Sequence, residues 1–138
     1  MRDWLYIAAA TFCWGWWVLT SKMAVRNMSP LLVQLVMLYV YSAVAPLAFL
    51  VMKWRGDTFT WTRPGIAWAT ATACLGLGAV YSYMLAVENK PASLVNPITS
   101  ANPVLGFMLC CLFLGETFTV QKAIGIVMVV AGCIVVSQ

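Results

Sequence analysis

Charged positions cut the chain into long apolar runs. The uncharged stretches are Trp4–Ser21 (18 residues), Asn27–Met52 (26), Pro64–Val87 (24), Pro91–Gly115 (25) and Ala123–Gln138 (16). A helix rises 1.5 Å per residue, so a hydrocarbon core about 30 Å thick takes about 20 residues to cross. The first four runs meet that length directly. The fifth reaches it by starting near Phe118 and including Lys122, whose stem can carry its ammonium to the headgroups. Lipid offers backbone polar groups no partner outside a helix or a closed barrel, and these runs are continuous, unlike the short alternating strands of a barrel. The pattern therefore predicts an all-α polytopic membrane protein in one domain, 1–138. Its five transmembrane helices fall at about 4–22, 31–52, 65–87, 92–114 and 118–137.

The joins carry suitable punctuation. Ser29-Pro30 offers a capping residue and a first-turn proline, and Thr62-Arg63-Pro64 repeats the arrangement before the third span. Trp4, Trp54 and Trp61 stand beside span ends, where indole prefers the interface. Arg2 precedes a run of full span length that is bulky with Trp and lacks a small-residue cleavage site, so it reads as a first span, not a signal peptide.

Composition sharpens this picture. Hydrophobic types make up 63% of the 138 residues and charged types 9%. Ordinary soluble domains hold about 45–50% and about 25%. That excludes a soluble enzyme and a disordered chain. The chain has no histidine, which removes the commonest general base and metal ligand. All five cysteines (Cys13, Cys74, Cys110, Cys111, Cys133) fall inside spans without a C-x-x-C pair and read as small packing residues. No cofactor, metal or nucleic-acid partner is expected. The net charge of +4 belongs to membrane topology.

Five spans put the two ends on opposite faces. Arg2, Lys53, Arg55, Arg63 and Lys122 then share one face, and Lys22, Arg26 and Lys90 the other. The positive-inside rule favours a cytoplasmic N-terminus in a multi-pass inner-membrane protein. The margin is two charges, narrow enough to allow both orientations.

Several local motifs occur in a fixed order. Trp14-Gly15 with Lys22 reads W-G-x6-K, and Ser29-Pro30 opens the second span. Tyr83-Met84-Leu85-Ala86-Val87 leads through Pro91-Ala92-Ser93 to Asn102-Pro103-Val104. Then come Leu112-Phe113-Leu114-Gly115-Glu116, Gln121, Gly125 and Gly132. This set resembles one EamA repeat of the drug/metabolite transporter superfamily, over nearly the whole chain. The resemblance implies transport of small organic solutes. Most relatives fuse two such repeats into ten helices, the halves inverted about an axis in the membrane plane. A single odd-span repeat rebuilds that pair only by meeting an inverted unit, which implies an antiparallel homodimer or a homologous half. Two departures bear on substrate. Many relatives carry a basic residue in the second span where this chain has Met37-Leu38. The small multidrug resistance proteins, distant kin, use an acidic residue within the first span, and here no Asp or Glu lies mid-span.

Candidate cavity residues are polar or aromatic groups at mid-span. On a continuous helix, Asn96, Thr99, Ser100, Asn102, Pro103 and Gly106 fall within about 160° of arc. Pro97 and Pro103 each remove a backbone donor, and a broken helix at that depth has to face protein or water. Interhelical hydrogen bonding and packing kinks account for the same residues. Trp14, Trp17, Val18 and Ser21 share a face of the first span and could stack on a solute or fill space. Gln34, Tyr41 and Tyr81 are weaker candidates, since buried amides and hydroxyls often bond neighbouring helices. Lys22 either snorkels or attracts an anionic group at a cavity mouth. Glu116 reads as fixing a tight turn, and Glu88 and Lys90 as loop charges. Gly125 and Gly132 lie at i, i+7 and suit close packing, within the repeat or across a dimer.

Three functions compete. The first is a carrier of small organic solutes working by alternating access as an antiparallel dimer. The second is a non-transporting accessory half of a membrane complex. The third, an intramembrane enzyme, lacks His, a metal-ligand cluster and paired carboxylates in the spans. An aromatic, neutral-polar pocket suits amino acids, nucleobases or lipophilic compounds alike.

Overall fold

A computed structural model describes every residue except Met1, Asp57, Phe59, Phe118 and Gln138, and leaves the side chains of Arg2 and Ser137 undescribed. The expected start of the fifth span at Phe118, and the Arg2 side chain counted in the topology, lie outside the described residues. The elements are α1 (Arg2–Asn27), α2 (Pro30–Arg55), α3 (Arg63–Asn89), α4 (Ala92–Thr99), α5 (Asn102–Leu114) and α6 (Val120–Ser137). There is no strand among the described residues.

The expected fourth helix over 92–114 is two helices. Pro97 has no N–H for the Ser93 carbonyl, and Pro103 has none for that of Thr99. Ala101 turns its N–H to Ile98 O (3.2 Å) and Val104 turns its own to Ala101 O (3.0 Å), which are three-residue turns in place of helical bonds. Pro103 then sits in the first turn of α5, where a missing donor costs nothing. Pro46 alone leaves α2 continuous over 26 residues. Two prolines six positions apart split a helix where one does not.

Among the described residues, three segments are long and apolar enough to cross a membrane: Pro30–Arg55, Arg63–Asn89 and, taken across the break, Ala92–Leu114. α6 offers the shorter apolar run Val120–Val136. α1 has the length, at 26 residues, but its tryptophans, threonines and serine make it less apolar than the others. Along the spans, hydroxyls bond backward to their own helix. Thr11 donates to Ile7 O, Ser42 to Leu38 O, Thr70 to Ile66 O and Thr72 to Trp68 O, each at 2.9 Å. Hydroxyls satisfied in this way can lie on an apolar surface without an open polar valence.

The termini follow the sequence in part. Thr62 caps α3, its Oγ1 accepting from Gly65 N at 3.2 Å. Ser29 stands at the N-cap of α2 in extended backbone and its carbonyl accepts the first helical bond, from Val33 N–H (3.0 Å), but its hydroxyl makes no capping bond. α2 and α5 end on left-handed glycines, Gly56 (φ 73°) and Gly115 (φ 65°). The Glu116 amide turns back to Cys110 O at 3.4 Å. It is the backbone of Glu116, within the L-G-E motif, that makes this turn.

Two compact units form: Met1–Leu19 with Asn89–Gln138, and Thr20–Glu88. The unit Thr20–Glu88 buries Ser21, Val25, Val33, Gln34, Tyr83, Met84 and Val87, drawn from the end of α1, the start of α2 and the end of α3. In the other unit, α4 packs on α6 and Val95 is buried. Many other apolar side chains, such as Leu31, Leu35, Leu47 and Phe113, are exposed, as expected of helices that are apolar all round.

Candidate functional site

The candidate residues fall in two groups. Trp14, Trp17, Asn96, Ser100, Asn102, Pro103, Gly125 and Gly132 belong to the unit holding α4, α5 and α6. Lys22, Gln34, Tyr41 and Tyr81 belong to the unit Thr20–Glu88.

In the first group, the structure brings Asn96, Thr99 and Ser100 together at the end of α4. The Asn96 carbonyl accepts from Ser100 N (2.8 Å), Ser100 Oγ (2.7 Å) and Thr99 Oγ1 (3.0 Å). Thr99 Oγ1 also reaches Val95 O at 3.0 Å. Asn96 is half-buried, while Ser100, Asn102 and Pro103 are exposed. The arc expected for Asn96 through Gly106 assumes a continuous helix, and here three-residue turns at Ser100-Ala101, both still in right-handed helical backbone, tighten it. Asn96, Thr99 and Ser100 close one half-helix, and Asn102, Pro103 and Gly106 open the next.

Cys133, read from sequence as a packing residue, has a further part. Its thiol, on α6, donates to Pro97 O at 2.9 Å. That carbonyl is free because the Ala101 amide has turned to Ile98. The prolines signal a released carbonyl in the sequence, but nothing there shows that the donor comes from 36 residues away.

On α1, Trp17 and Val18 are half-buried and Ser21 is buried, whereas Trp14 is 71% exposed. All four lie on one face of the continuous helix α1, and that face is covered at three of them. A shallow groove of about 340 Å³ lies on the other flank, lined by Thr11, Phe12, Gly15, Trp16 and Leu19, with the Phe12 and Trp16 rings edge to face at 6.3 Å. A second groove of about 550 Å³ runs along Thr60–Cys74. Neither is lined by a candidate residue.

In the second group, Lys22 donates to the Val87 carbonyl. Four residues beyond Val87 stands Pro91, which has no N–H to offer, so the lysine takes an acceptor that the helix leaves open. Gln34 is 8% exposed, and its Oε1 has no partner. A buried orphan of this kind calls for a water, a ligand or a neighbouring helix. Tyr81 is half-buried and Tyr41 is exposed.

A Cβ added at Gly125 or Gly132 meets nothing within 4 Å. Among the described residues of its own unit, neither glycine thus makes a close approach to another helix. Lys122 bridges the α5–α6 turn, with Nζ at 3.3 Å from Thr117 O and 5.7 Å from the centroid of Phe107.

Against this geometry, the profile of the EamA-like transporter family matches residues 3–138. The chain belongs to that family. That family is described as one of transporters and is not a family of enzymes. An uncharacterized protein of Methanocaldococcus jannaschii is 38% identical over 61 residues, which is 44% of this chain and 44% of that relative. The aligned part thus spans less than half of the curated relative. No solved structure matches the chain significantly.

Proposed function

We propose that this EamA chain is one half of a carrier for small organic solutes, completed by an inverted second copy and working by alternating access. The observation that carries the reading is the break between α4 and α5. It lies within an apolar segment of 23 residues, and its polar residues Thr99, Ser100 and Asn102 are exposed. Such an interruption leaves backbone carbonyls without helical donors, and at membrane depth these are stable only where they meet protein or line a water-filled cavity. Carriers place their substrate sites at such discontinuous helices, between repeats of opposite topology. An inverted twin supplies the second repeat, and the two-charge margin between faces permits it. Gly125 and Gly132, open within their own unit, suit helix contact across that dimer.

Two measurements test this. Single cysteines placed near each end, in a background lacking the native five, give head-to-tail crosslinks in the membrane if the twin is inverted. Head-to-head products alone refute it. In proteoliposomes, Asn96→Leu abolishes the flux of a transported amine, amino acid or nucleobase. Flux that survives that substitution places the route elsewhere, and flux from a strictly monomeric chain removes the twin.

A further inference from the structure

One face of α3 is covered at one end and bare at the other. Among the described residues, those buried on α2 are Pro30, Val33 and Gln34, and those buried on α3 are Tyr83, Met84 and Val87. The burial lies at the end of each helix away from their connection, and the end around Lys53–Arg63 stays open. Ala73, Leu77, Tyr81 and Met84 stand at i, i+4, i+8 and i+11, which is one face of a helix. Met84 is buried and Tyr81 half-buried, whereas Leu77 and Ala73 are exposed. From Ala73 back to Trp61 this bare half carries the groove of about 550 Å³, floored by Gly65, Ile66, Ala69, Thr70, Ala73 and Cys74.

Depth, wall chemistry and charge together say what fills it. Gly65 to Cys74 is about 14 Å of helix rise, and half of a hydrocarbon core about 30 Å thick is about 15 Å. The groove therefore runs the depth of one leaflet, starting beside Trp61. Its wall is closed to polar contact, because the Thr70 hydroxyl donates to Ile66 O (2.9 Å) and Thr62 Oγ1 accepts from Gly65 N (3.2 Å). Such a wall suits an acyl chain and not a polar solute. The mouth is different. Arg63 is exposed there, between the lining residues Thr62 and Gly65. The connection holds Lys53, Arg55 and Arg63 against Asp57, and Trp54 and Trp61 are 88% and 79% exposed. A guanidinium fork matches a phosphate, and indole rests at headgroup depth. A second copy does not answer this charge. On a five-span topology one face of the protein holds five cations against Asp3, Asp57 and Glu116, and the other holds three against Glu88. Both faces are net positive, so a twin in either orientation brings positive to positive.

We propose that this groove seats an acyl chain of an anionic phospholipid from its own leaflet, with the lipid phosphate held by Arg63 at the mouth. The site goes beyond the carrier reading and does not depend on it.

The test is native mass spectrometry of the full chain released from bilayers of equal parts phosphatidylglycerol and phosphatidylcholine. The protein retains one phosphatidylglycerol per protomer, with at least about fivefold preference over phosphatidylcholine. Arg63→Gln lowers that preference about fivefold. Ala73→Leu places bulk on the groove floor and removes the retained lipid. Arg26→Gln, on the opposite membrane face, changes nothing. Equal retention of the two lipids by the wild type, unchanged preference in folded Arg63→Gln, or phosphatidylglycerol still held by folded Ala73→Leu each overturns the proposal. An Ala73→Leu protein that keeps its lipid and loses its dimer gives the groove to a second copy. If either variant does not fold, the wild-type comparison of the two lipids decides by itself.

Discussion

Lys22 and Val87 are 65 residues apart in sequence, and the ammonium of one donates to the carbonyl of the other. The bond ties the end of α1 to the end of α3, beside the buried residues Ser21, Tyr83, Met84 and Val87. A hydrogen bond from a charged donor contributes about 1.5–3 kcal/mol when half-buried. Lys22→Met should cost about that much in thermal or denaturant unfolding of the purified protein, with no solute present. Lys22→Arg keeps a charged donor and should retain most of the stability. A stable Lys22→Met with impaired flux would instead restore the reading of Lys22 as a solute-attracting charge.

Helix ends give a second expectation. The Thr62 hydroxyl takes the Gly65 amide, so Thr62→Val should destabilise by about 1 kcal/mol, the usual worth of an N-cap. Ser29 occupies the matching position on α2 without a side-chain bond. Ser29→Ala should therefore be near neutral. Equal losses at the two sites would contradict this difference.

Gly115 has φ 65°, which a residue with a Cβ enters at a cost of about 1–2 kcal/mol. Gly115→Ala should lower stability by that amount. Asn at the same place should recover part of it, because Asn tolerates this conformation. Chemical denaturation of the three proteins reads the order Gly, Asn, Ala directly.

The all-α membrane fold was legible because its cause is local. Length and apolar continuity set each helix, and Gly56 and Gly115 stand where helices stop. The break at Ser100-Ala101 was half legible. Pro97 and Pro103 announce missing donors, but a single proline does not break α2 at Pro46, so the outcome depends on how the remaining amides repair the turn. Cys133 and Lys22 illustrate what was hidden. Each donates to a carbonyl that a proline has released, directly or through the turn beside it. The released acceptor can be read from spacing, whereas its donor is chosen by packing. Gln34 shows the same limit from the other side, since its burial follows from three chain segments meeting and not from its place in α2.

The thiol of Cys133 and the carbonyl of Pro97 provide a fourth prediction. S–H is a weak donor, so the bond contributes on the order of 0.5–1 kcal/mol. Its position matters more than its strength, because it holds α6 against the half-helix that carries Asn96. Cys133→Ser keeps a donor and should preserve both flux and melting temperature. Cys133→Val keeps the volume and loses the donor, and should reduce flux with a small loss of stability. Identical behaviour of the two variants would leave the thiol as packing alone.

Gly125 and Gly132 discriminate most sharply between a chain that is complete and one that needs its twin. Among the described residues of its own unit, neither meets an atom of another helix within 4 Å of an added Cβ. Within a single helix, Gly→Ala gains about 0.5–1 kcal/mol through the lower entropy of the unfolded chain. In the isolated protomer, alanine at either position should thus be neutral or stabilising. If these glycines seat a second copy, a larger side chain holds the helices apart, since close approach is what small residues permit in a membrane. Gly132→Leu should then lower the dimer fraction in lipid, measured by single-molecule photobleaching or crosslinking against protein density, while the secondary structure of the monomer stays intact. Gly125→Leu should act in the same direction. Because the carrier reading requires the twin, flux should fall in step with the dimer fraction. A Gly132→Leu protein that dimerises normally would remove α6 from the interface, and one that is monomeric yet transports would remove the need for a second copy.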